Sequence, residues 1–183
     1  MHTQNLIIID DVNQATFQPD LFSTNNRNIG LFGENRISNA TLLKSIVTQA
    51  VEIGLPIFGI NLSKISDSRF YKWETETFIN TKASEVSSEI WGIDDNSDKG
   101  VTWINNLVIE ALLFNQSVLF IDDCAPLLKN SKVSQYLGRL CANSMKYGLQ
   151  IILVAESSHD CSQKIINNLG NRFIILPQFN CSN

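Results

Sequence analysis

Short apolar runs alternate along this sequence with longer segments in which apolar residues recur every three or four positions. Residues 118–121 form the clearest run, and residues 41–53 carry the clearest helical stripe, directly ahead of Gly54. Apolar strands that alternate with amphipathic helices are typical of a parallel sheet whose connections cross over its faces. The sequence therefore predicts an α/β fold with a mostly parallel central sheet flanked by helices.

The same patterns divide the whole chain into elements. Strands are predicted at residues 6–9, 28–33, 56–62, 117–123, 150–155 and 172–176, and further helices at 101–114, 132–147 and 162–169. We expect a short extended piece at 16–21 to pair with the first strand, as a small antiparallel entry to the sheet. Residues 63–99 predict a peripheral insertion with short elements, held to the body by Trp73, Phe78 and Trp91.

Composition limits the classes of function. A length of 183 residues, 44% of them hydrophobic, fits one domain with a sizeable core. Fourteen Lys and Arg residues against 18 Asp and Glu give a net charge of -4, so no nucleic-acid partner held mainly by phosphate contacts is expected. The charged fraction of 17% lies below the roughly 25% of soluble domains, which indicates a surface partly covered by partners or neighbouring domains.

Cysteine spacing and apolar length address metal binding and membrane insertion. The four cysteines include no CxxC pair, and only two histidines accompany them, so we predict reduced thiols and no metal site. The apolar run at residues 6–9 is too short for a signal peptide or for the roughly 20 residues of a membrane span. By itself this stretch of chain is expected to be soluble.

A predicted strand, a glycine and a helix follow one another in the arrangement of a phosphate-binding P-loop. When Gly33 is aligned with the first glycine of G-x-x-x-x-G-K-S/T, the later signature positions hold Ser38, Asn39 and Ala40. Ser38 lacks the freedom of glycine at positive φ, Asn39 brings no cation to a phosphate, and Ala40 has no hydroxyl for Mg²⁺. Thr41 follows one residue too late to replace that hydroxyl. ATP hydrolysis at this site is therefore not expected.

The residues between these positions are Glu34, Asn35 and Arg36, followed by an isoleucine. Arg36 is a candidate for offering positive charge to a phosphate or sulfate, and a solvated loop arginine is the alternative interpretation. The degenerate loop thus leaves weak binding of ATP and Mg²⁺ as the most that is expected, with no required cofactor and no catalytic residue.

A second nucleotide motif lies further along the chain. Four apolar residues followed by Asp122 and Asp123 match a Walker B strand, in which Asp122 would organise Mg²⁺ and its water. Asp123 stands at the position of the usual catalytic glutamate, with a side chain one methylene shorter. Alternatively, both aspartates cap the following helix, with Pro126 near its first turn. After the next strand, Glu156 stands at the position where P-loop motor ATPases hold a glutamine that senses the γ-phosphate. A carboxylate at that position repels a triphosphate.

Taken in order, these segments resemble the FtsK/SpoIIIE branch of ring-forming P-loop ATPases. The resemblance is carried by the strand pair at 8–21, by NIGLFGENR at 28–36 with TLLK at 41–44, by SVLFIDDCAPLL at 117–128 and by YGLQIIL at 147–153. It is strongest to a C-terminal ATPase domain of the EssC/EccC membrane ATPases of type VII secretion. It covers nearly the whole chain, although the diagnostic P-loop residues have changed.

The resemblance implies a P-loop NTPase-like, RecA/FtsK-like fold and a place in a larger protein. In that family several ATPase domains lie in tandem on the cytosolic side of a membrane anchor, and later ones are often degenerate. Residues 1–183 are accordingly expected to be one degenerate domain of a longer membrane-anchored chain, facing the bacterial cytoplasm. The family also implies recruitment of small helical secreted proteins of the WXG100 type, regulation of neighbouring ATPase domains, and hexameric stacking.

Two other interpretations stay open at this point. In one, a residual site binds and slowly hydrolyses nucleotide when an active neighbour supplies an arginine. In the other, the chain belongs to the conjugative, DNA-transferring ATPases that share the same core, for which the acidic charge balance is unfavourable.

Overall fold

The computed structural model of the protein describes residues 5–10, 28–61, 82–85 and 99–176. In chain order the elements are β1 (Asn5–Asp10), β2 (Asn28–Phe32), α1 (Arg36–Glu52), β3 (Ile57–Asn61), β4 (Lys82–Glu85), α2 (Lys99–Ala111), β5 (Ser117–Asp122), α3 (Ala125–Leu128), α4 (Ser131–Asn143), β6 (Leu149–Ala155), α5 (Gln163–Ile166) and β7 (Leu169–Leu176). Short 3-10 helices precede and follow β6, at Ser144–Tyr147 and Ser158–Asp160. No helix in these described ranges is long and apolar enough to cross a membrane.

The strands form one seven-stranded sheet in the order β1-β7-β2-β6-β5-β3-β4. Every pairing between these described strands is parallel, which confirms the predicted sheet class. β6 and the first five residues of β5 are buried along their whole length, as expected of central strands covered on both faces.

Helices cover both faces of the sheet and divide the buried side chains into two clusters. α1 packs its apolar stripe, including Leu43 and Val47, against one face with Phe120 and Phe173. α2, α3, α4 and α5 cover the other face, where Leu119 and Leu153 contribute from the sheet. This three-layer arrangement is what strands alternating with crossover helices require.

Several predicted boundaries shift. β1 joins the sheet in parallel with β7, while residues 16–21, its expected antiparallel partner, lie outside the described residues. The same is true of the insertion that contains Trp73, Phe78 and Trp91, apart from β4 at the sheet edge and the start of α2. The helix predicted at 162–169 is reduced to the single turn of α5, because Leu169 is fully buried and already pairs with Asn28 as the first residue of β7.

A buried polar side chain joins the beginnings of the central elements. Asn28 is 3% exposed. Its amide nitrogen donates to the Cys141 carbonyl at 2.8 Å and to the Asn168 carbonyl at 3.1 Å. Its amide oxygen accepts from the Ser144 hydroxyl at 2.9 Å and from the Ile151 backbone N–H at 3.0 Å. All four hydrogen-bonding positions of the side chain are therefore used, which fixes β2 against β6 and the end of α4.

Candidate nucleotide site

The three predicted motifs meet at one edge of the sheet. Gly33 follows β2, Glu156 follows β6, and Asp122 ends β5, while β6 lies between β2 and β5. Because parallel strands end at the same edge, these positions lie side by side, where ligands of open α/β sheets bind. The structure thus brings the sequence-predicted segments together at the expected edge.

The connection after β2 is shorter than the P-loop template. β2 ends at Phe32 and α1 begins at Arg36, so three residues, Gly33, Glu34 and Asn35, connect them. The predicted helix start at residue 41 is therefore wrong by five residues. Residues 36–40 belong to the first turns of α1 and not to a loop.

Asn35 accounts for the early start of the helix. Its side-chain oxygen accepts from the Ser38 backbone N–H at 3.3 Å, and its carbonyl accepts from the Asn39 backbone N–H at 3.0 Å. These are the two interactions of a helix N-cap residue. Asn35 thereby occupies one of the N–H groups that a P-loop directs at phosphate.

The backbone here also differs from a phosphate-binding nest, in which right- and left-handed residues alternate so that successive N–H groups converge. Within the described residues a positive φ occurs at Asp123, Gly54 and Gly148, and none of these lies between Gly33 and Thr41. Ser38 therefore does not need the freedom of glycine, because its position lies in a regular helical turn.

Asn39, at the position of the signature lysine, is turned into the protein. Its side chain is 3% exposed. The amide nitrogen donates to the Gly33 carbonyl at 2.7 Å and lies 3.5 Å from the Ala155 carbonyl. The Gly33 backbone N–H donates to the same Ala155 carbonyl at 3.2 Å. Asn39 therefore joins the first turns of α1 to the ends of β2 and β6.

The partners of the Asn39 amide nitrogen fix the orientation of the amide. Its nitrogen faces two carbonyl oxygens, so a flipped amide would place oxygen against oxygen. The Asn39 side-chain oxygen is buried and accepts no hydrogen bond. A Cβ at Gly33 would lie 2.9 Å from that oxygen and 2.9 Å from the Ile175 Cβ, so glycine is needed for this close approach.

The remaining loop positions differ in exposure. Ala40 is buried and Ser38 is 7% exposed, whereas Glu34 and Thr41 face solvent. Arg36 is described by its backbone alone, as the first residue of α1, so its proposed contact with an anion stays a prediction.

Of the two aspartates at the Walker B position, Asp122 is the last residue of β5 and Asp123 lies in the turn that follows. Asp122 is half-buried, and Asp123 has a φ of 53°, a left-handed conformation that Asp tolerates better than most residues. The N-cap of α3 is Cys124, with no side-chain cap and with Pro126 in the first turn. Neither aspartate therefore holds the cap position that the alternative interpretation gave them.

Glu156 is exposed directly after β6. The next residue, Ser157, caps the following 3-10 turn by accepting from the His159 backbone N–H at 3.1 Å, while Asp160 accepts from the Ser157 N–H at 3.2 Å. With Glu34 and the two aspartates, Glu156 adds a carboxylate to this edge, and such a set disfavours a triphosphate that brings no metal ion.

Three of the described cysteines are free and buried, namely Cys124, Cys141 and Cys161. A hydrogen bond with Cys161, followed by burial and the charges of Asp123 and Asp160, raises the pKa of Cys124. Burial raises the pKa of Cys141 to about 12. The thiols of Cys124 and Cys141 are therefore neutral. Among the described residues no group of three or more His, Cys, Asp or Glu side chains is placed to hold a metal ion.

No protein-family model matches the sequence, and no curated protein sequence matches it. Similarity is found among solved structures. The cytoplasmic domain of EssC superposes with a TM-score of 0.54 and 16% identity, covering 84% of this chain and 32% of that one. Thermomonospora curvata EccC, solved as ATPases 2 and 3 with a signal sequence peptide, gives 0.52 and 11%, covering 80% of this chain and 30% of that one.

The chain is also similar in structure to a viral protein that is not a secretion ATPase. The DNA-packaging ATPase of Sulfolobus turreted icosahedral virus gives a TM-score of 0.57 at 13% identity, covering 78% of this chain and 72% of that one. Together with the parallel sheet and its flanking helices, these likenesses show a P-loop NTPase-like α/β fold. The chain spans about a third of the length of the EssC and EccC chains that it matches.

Proposed function

We propose that this chain is a P-loop-derived domain of a type VII secretion ATPase that does not hydrolyse ATP. Instead of hydrolysing ATP, the domain binds secreted protein substrates, regulates neighbouring ATPase domains, or does both. The fold likeness to EssC and EccC supports the family, and the altered phosphate edge supports the loss of turnover.

The observation that carries the proposal is the position of Asn39. A Walker A lysine reaches outward to the β- and γ-phosphates. Asn39 has no cation, and its amide is used in a buried hydrogen bond to the Gly33 carbonyl. A phosphate at this edge would therefore meet a capped helix start and a three-residue connection without the lysine that neutralises its charge.

Partners and location follow from the same proposal. The EccC structure contains ATPases 2 and 3 in complex with a signal sequence peptide. By analogy we propose helical substrates of the WXG100 type, neighbouring ATPase domains of a longer chain, and assembly as a hexamer on the cytoplasmic side of the membrane. The charge balance makes nucleic acid an unfavourable partner.

Calorimetry with Mg²⁺ and ATP or ADP tests the nucleotide part of the proposal. We expect no binding by the natural protein at millimolar nucleotide. A triple variant, Ser38→Gly, Asn39→Lys and Ala40→Thr, is the comparison, since it restores the signature side chains and leaves the three-residue connection unchanged. Binding by the triple variant alone would assign the loss to the side chains, whereas silence in both would assign it to the short connection as well. Tight binding by the natural protein would refute the proposal.

A hydrolysis assay gives an independent check. We expect no phosphate release above background, and no difference between the natural protein and Asp122→Ala. ATP hydrolysis that Asp122→Ala abolishes would restore a catalytic role to the Walker B position and contradict the proposal.

A further inference from the structure

Positive charge is concentrated in one part of this acidic chain. Between residues 124 and 155 the sequence has four cationic residues, Lys129, Lys132, Arg139 and Lys146, and no Asp or Glu, although the whole chain carries a net charge of -4. All four of these side chains are exposed. The charged side chains of this segment are therefore all positive.

Three of these cations lie in register along α4 and its extension. Lys132, Arg139 and Lys146 are seven residues apart, which is close to two helical turns and about 10.5 Å along an α-helix. Lys146 lies in the 3-10 helix Ser144–Tyr147, which directly continues α4. The three cations therefore form one row on the outer side of the helix.

A fourth cation joins this row from α5. A Cβ on Gly138 would lie 3.2 Å from the Cγ and Cδ atoms of Lys164, so the stem of Lys164 lies across Gly138, next in sequence to Arg139. Lys164 is itself exposed. We call Lys132, Arg139, Lys146 and Lys164 the basic row.

One end of the basic row is apolar. Met145 and Tyr147, on either side of Lys146, are 62% and 49% exposed, and Leu113 in the turn after α2 is 80% exposed. That turn packs against the end of the 3-10 helix, because a Cβ at Gly148 would overlap the Asn115 carbonyl oxygen. Several exposed large apolar side chains together are typical of a surface that binds a partner.

We propose that the basic row and its apolar end form a docking surface for an acidic helix of a partner protein. The helix would carry carboxylates at seven-residue spacing, opposite the three cations of α4 and its extension, and apolar residues at the end near Met145. This inference rests on the proposed function, for which it names the partner chemistry and the surface.

The spacing favours a helix over other polyanions. Cations in a seven-residue register match the period with which one helix presents side chains to another. A bilayer of anionic lipids imposes no such register, and nucleic acid is read by clustered cations that follow closely spaced phosphates. The apolar end supplies contact area that phosphates do not use, so the combined surface fits an amphipathic helix best.

Binding of designed peptides to the full chain tests the proposal. The probe is a fluorescent helical peptide of about 21 residues, three heptads, with glutamates at seven-residue spacing and leucines at one end. A second peptide has the same composition in scrambled order, and fluorescence anisotropy is recorded at about 50 and about 300 mM salt. We expect the ordered peptide to bind at least about tenfold more tightly than the scrambled one, and to weaken with salt.

Charge-reversal variants locate the surface. Arg139→Glu should weaken binding of the ordered peptide about tenfold or more, because an attraction becomes a repulsion. Lys44→Glu is the matched control, since Lys44 is exposed on α1 at the opposite face of the sheet and its reversal should leave the affinity unchanged. A peptide with its middle glutamate changed to lysine should bind the Arg139→Glu protein with restored affinity.

Several results would overturn the proposal. These are no binding of the ordered peptide, equal binding of both peptides, equal loss in Lys44→Glu, or tighter binding to duplex DNA or to vesicles containing phosphatidylglycerol. Self-association that Arg139→Glu abolishes would instead assign the surface to a second copy of the chain. None of these results bears on the nucleotide measurements. The proposed docking surface and the proposed lack of ATP hydrolysis are therefore tested independently.

Discussion

The amide of Asn39 offers the sharpest test of how the edge is built, and the change to test is Asn39→Asp. The variant keeps the size of the side chain and replaces the nitrogen that donates to the Gly33 carbonyl at 2.7 Å by a carboxyl oxygen. Since the site is 3% exposed, the carboxylate would be desolvated and would face two carbonyl oxygens. Both effects favour the protonated acid, which can still donate to Gly33.

The size of the effect follows from the expected change in the pKa of the new carboxyl. Burial raises carboxyl pKa values by up to roughly 3–5 units, and a rise of about three units corresponds to about 4 kcal/mol of unfolding free energy near neutral pH. Because the folded-state pKa is above the unfolded value, the variant is close to natural stability at low pH, loses stability as pH rises from the unfolded-state pKa, and has lost the full amount above the folded-state pKa. Asn39→Ala removes one hydrogen bond and an unpartnered oxygen. It should lower the free energy of unfolding by only about 1 kcal/mol at any pH.

Urea unfolding followed by circular dichroism, at about pH 4.5 and pH 7.5, measures these free energies. Asn143→Asp is the matched control, because the Asn143 amide donates to the Arg139 carbonyl at 2.8 Å in an exposed position. We expect that control to lose less than about 1 kcal/mol at either pH. If Asn39→Asp and Asn143→Asp showed the same small, pH-independent loss, the buried contact of Asn39 with the strand ends would be refuted.

Three further predictions concern the body of the fold. Asn28→Ala should lower the unfolding free energy by about 3 kcal/mol or more in the same urea assay, because it removes all four hydrogen bonds of a buried side chain. A loss below about 1 kcal/mol would contradict this hydrogen-bond network. Gly148→Ala should be far more damaging to the thermal midpoint than Gly54→Ala, although both have positive φ, of 64° and 76°, because a Cβ overlaps a backbone carbonyl at the first position and meets open space at the second. In a Cys181→Ser background, the remaining thiols should stay unreactive to a disulfide reagent at pH 8 until the chain unfolds, since they are buried and the pKa of Cys141 is raised to about 12. The same shift means that the free energy of unfolding falls as pH rises above about 9. Rapid labelling of the native protein would count against the burial of these thiols.

The sheet was predictable because its central strands are continuous apolar runs. Residues 118–121 and 150–155 could be recognised from the sequence alone, since a strand buried on both faces must be apolar at every position. The direction of β1 was not predictable in the same way. Its pairing with β7 joins opposite ends of the chain, and no local pattern records such a contact.

The helix start in the candidate site was misjudged for a different reason. Alignment to the P-loop template placed residues 34–40 in a loop, whereas Asn35 begins α1 by accepting the Ser38 N–H. Asparagine is among the strongest N-cap residues, so Asn35 is the signal in the sequence for this earlier helix start. The role of Asn28 had no local signal, because its partners at Cys141, Ser144 and Asn168 are remote in sequence.

The residues at positions 38 and 39 fit one another, because both positions follow from the early start of α1. Once Asn35 caps the helix early, position 38 lies in a regular turn and no longer needs glycine. Position 39 then points at the strand ends, where an amide that donates to the Gly33 carbonyl is stabilising and a lysine would bring a buried charge. The fold thereby satisfies with its own side chains an edge that P-loop ATPases complete with nucleotide. Asn39→Lys alone should therefore destabilise the domain before it creates any affinity for ATP.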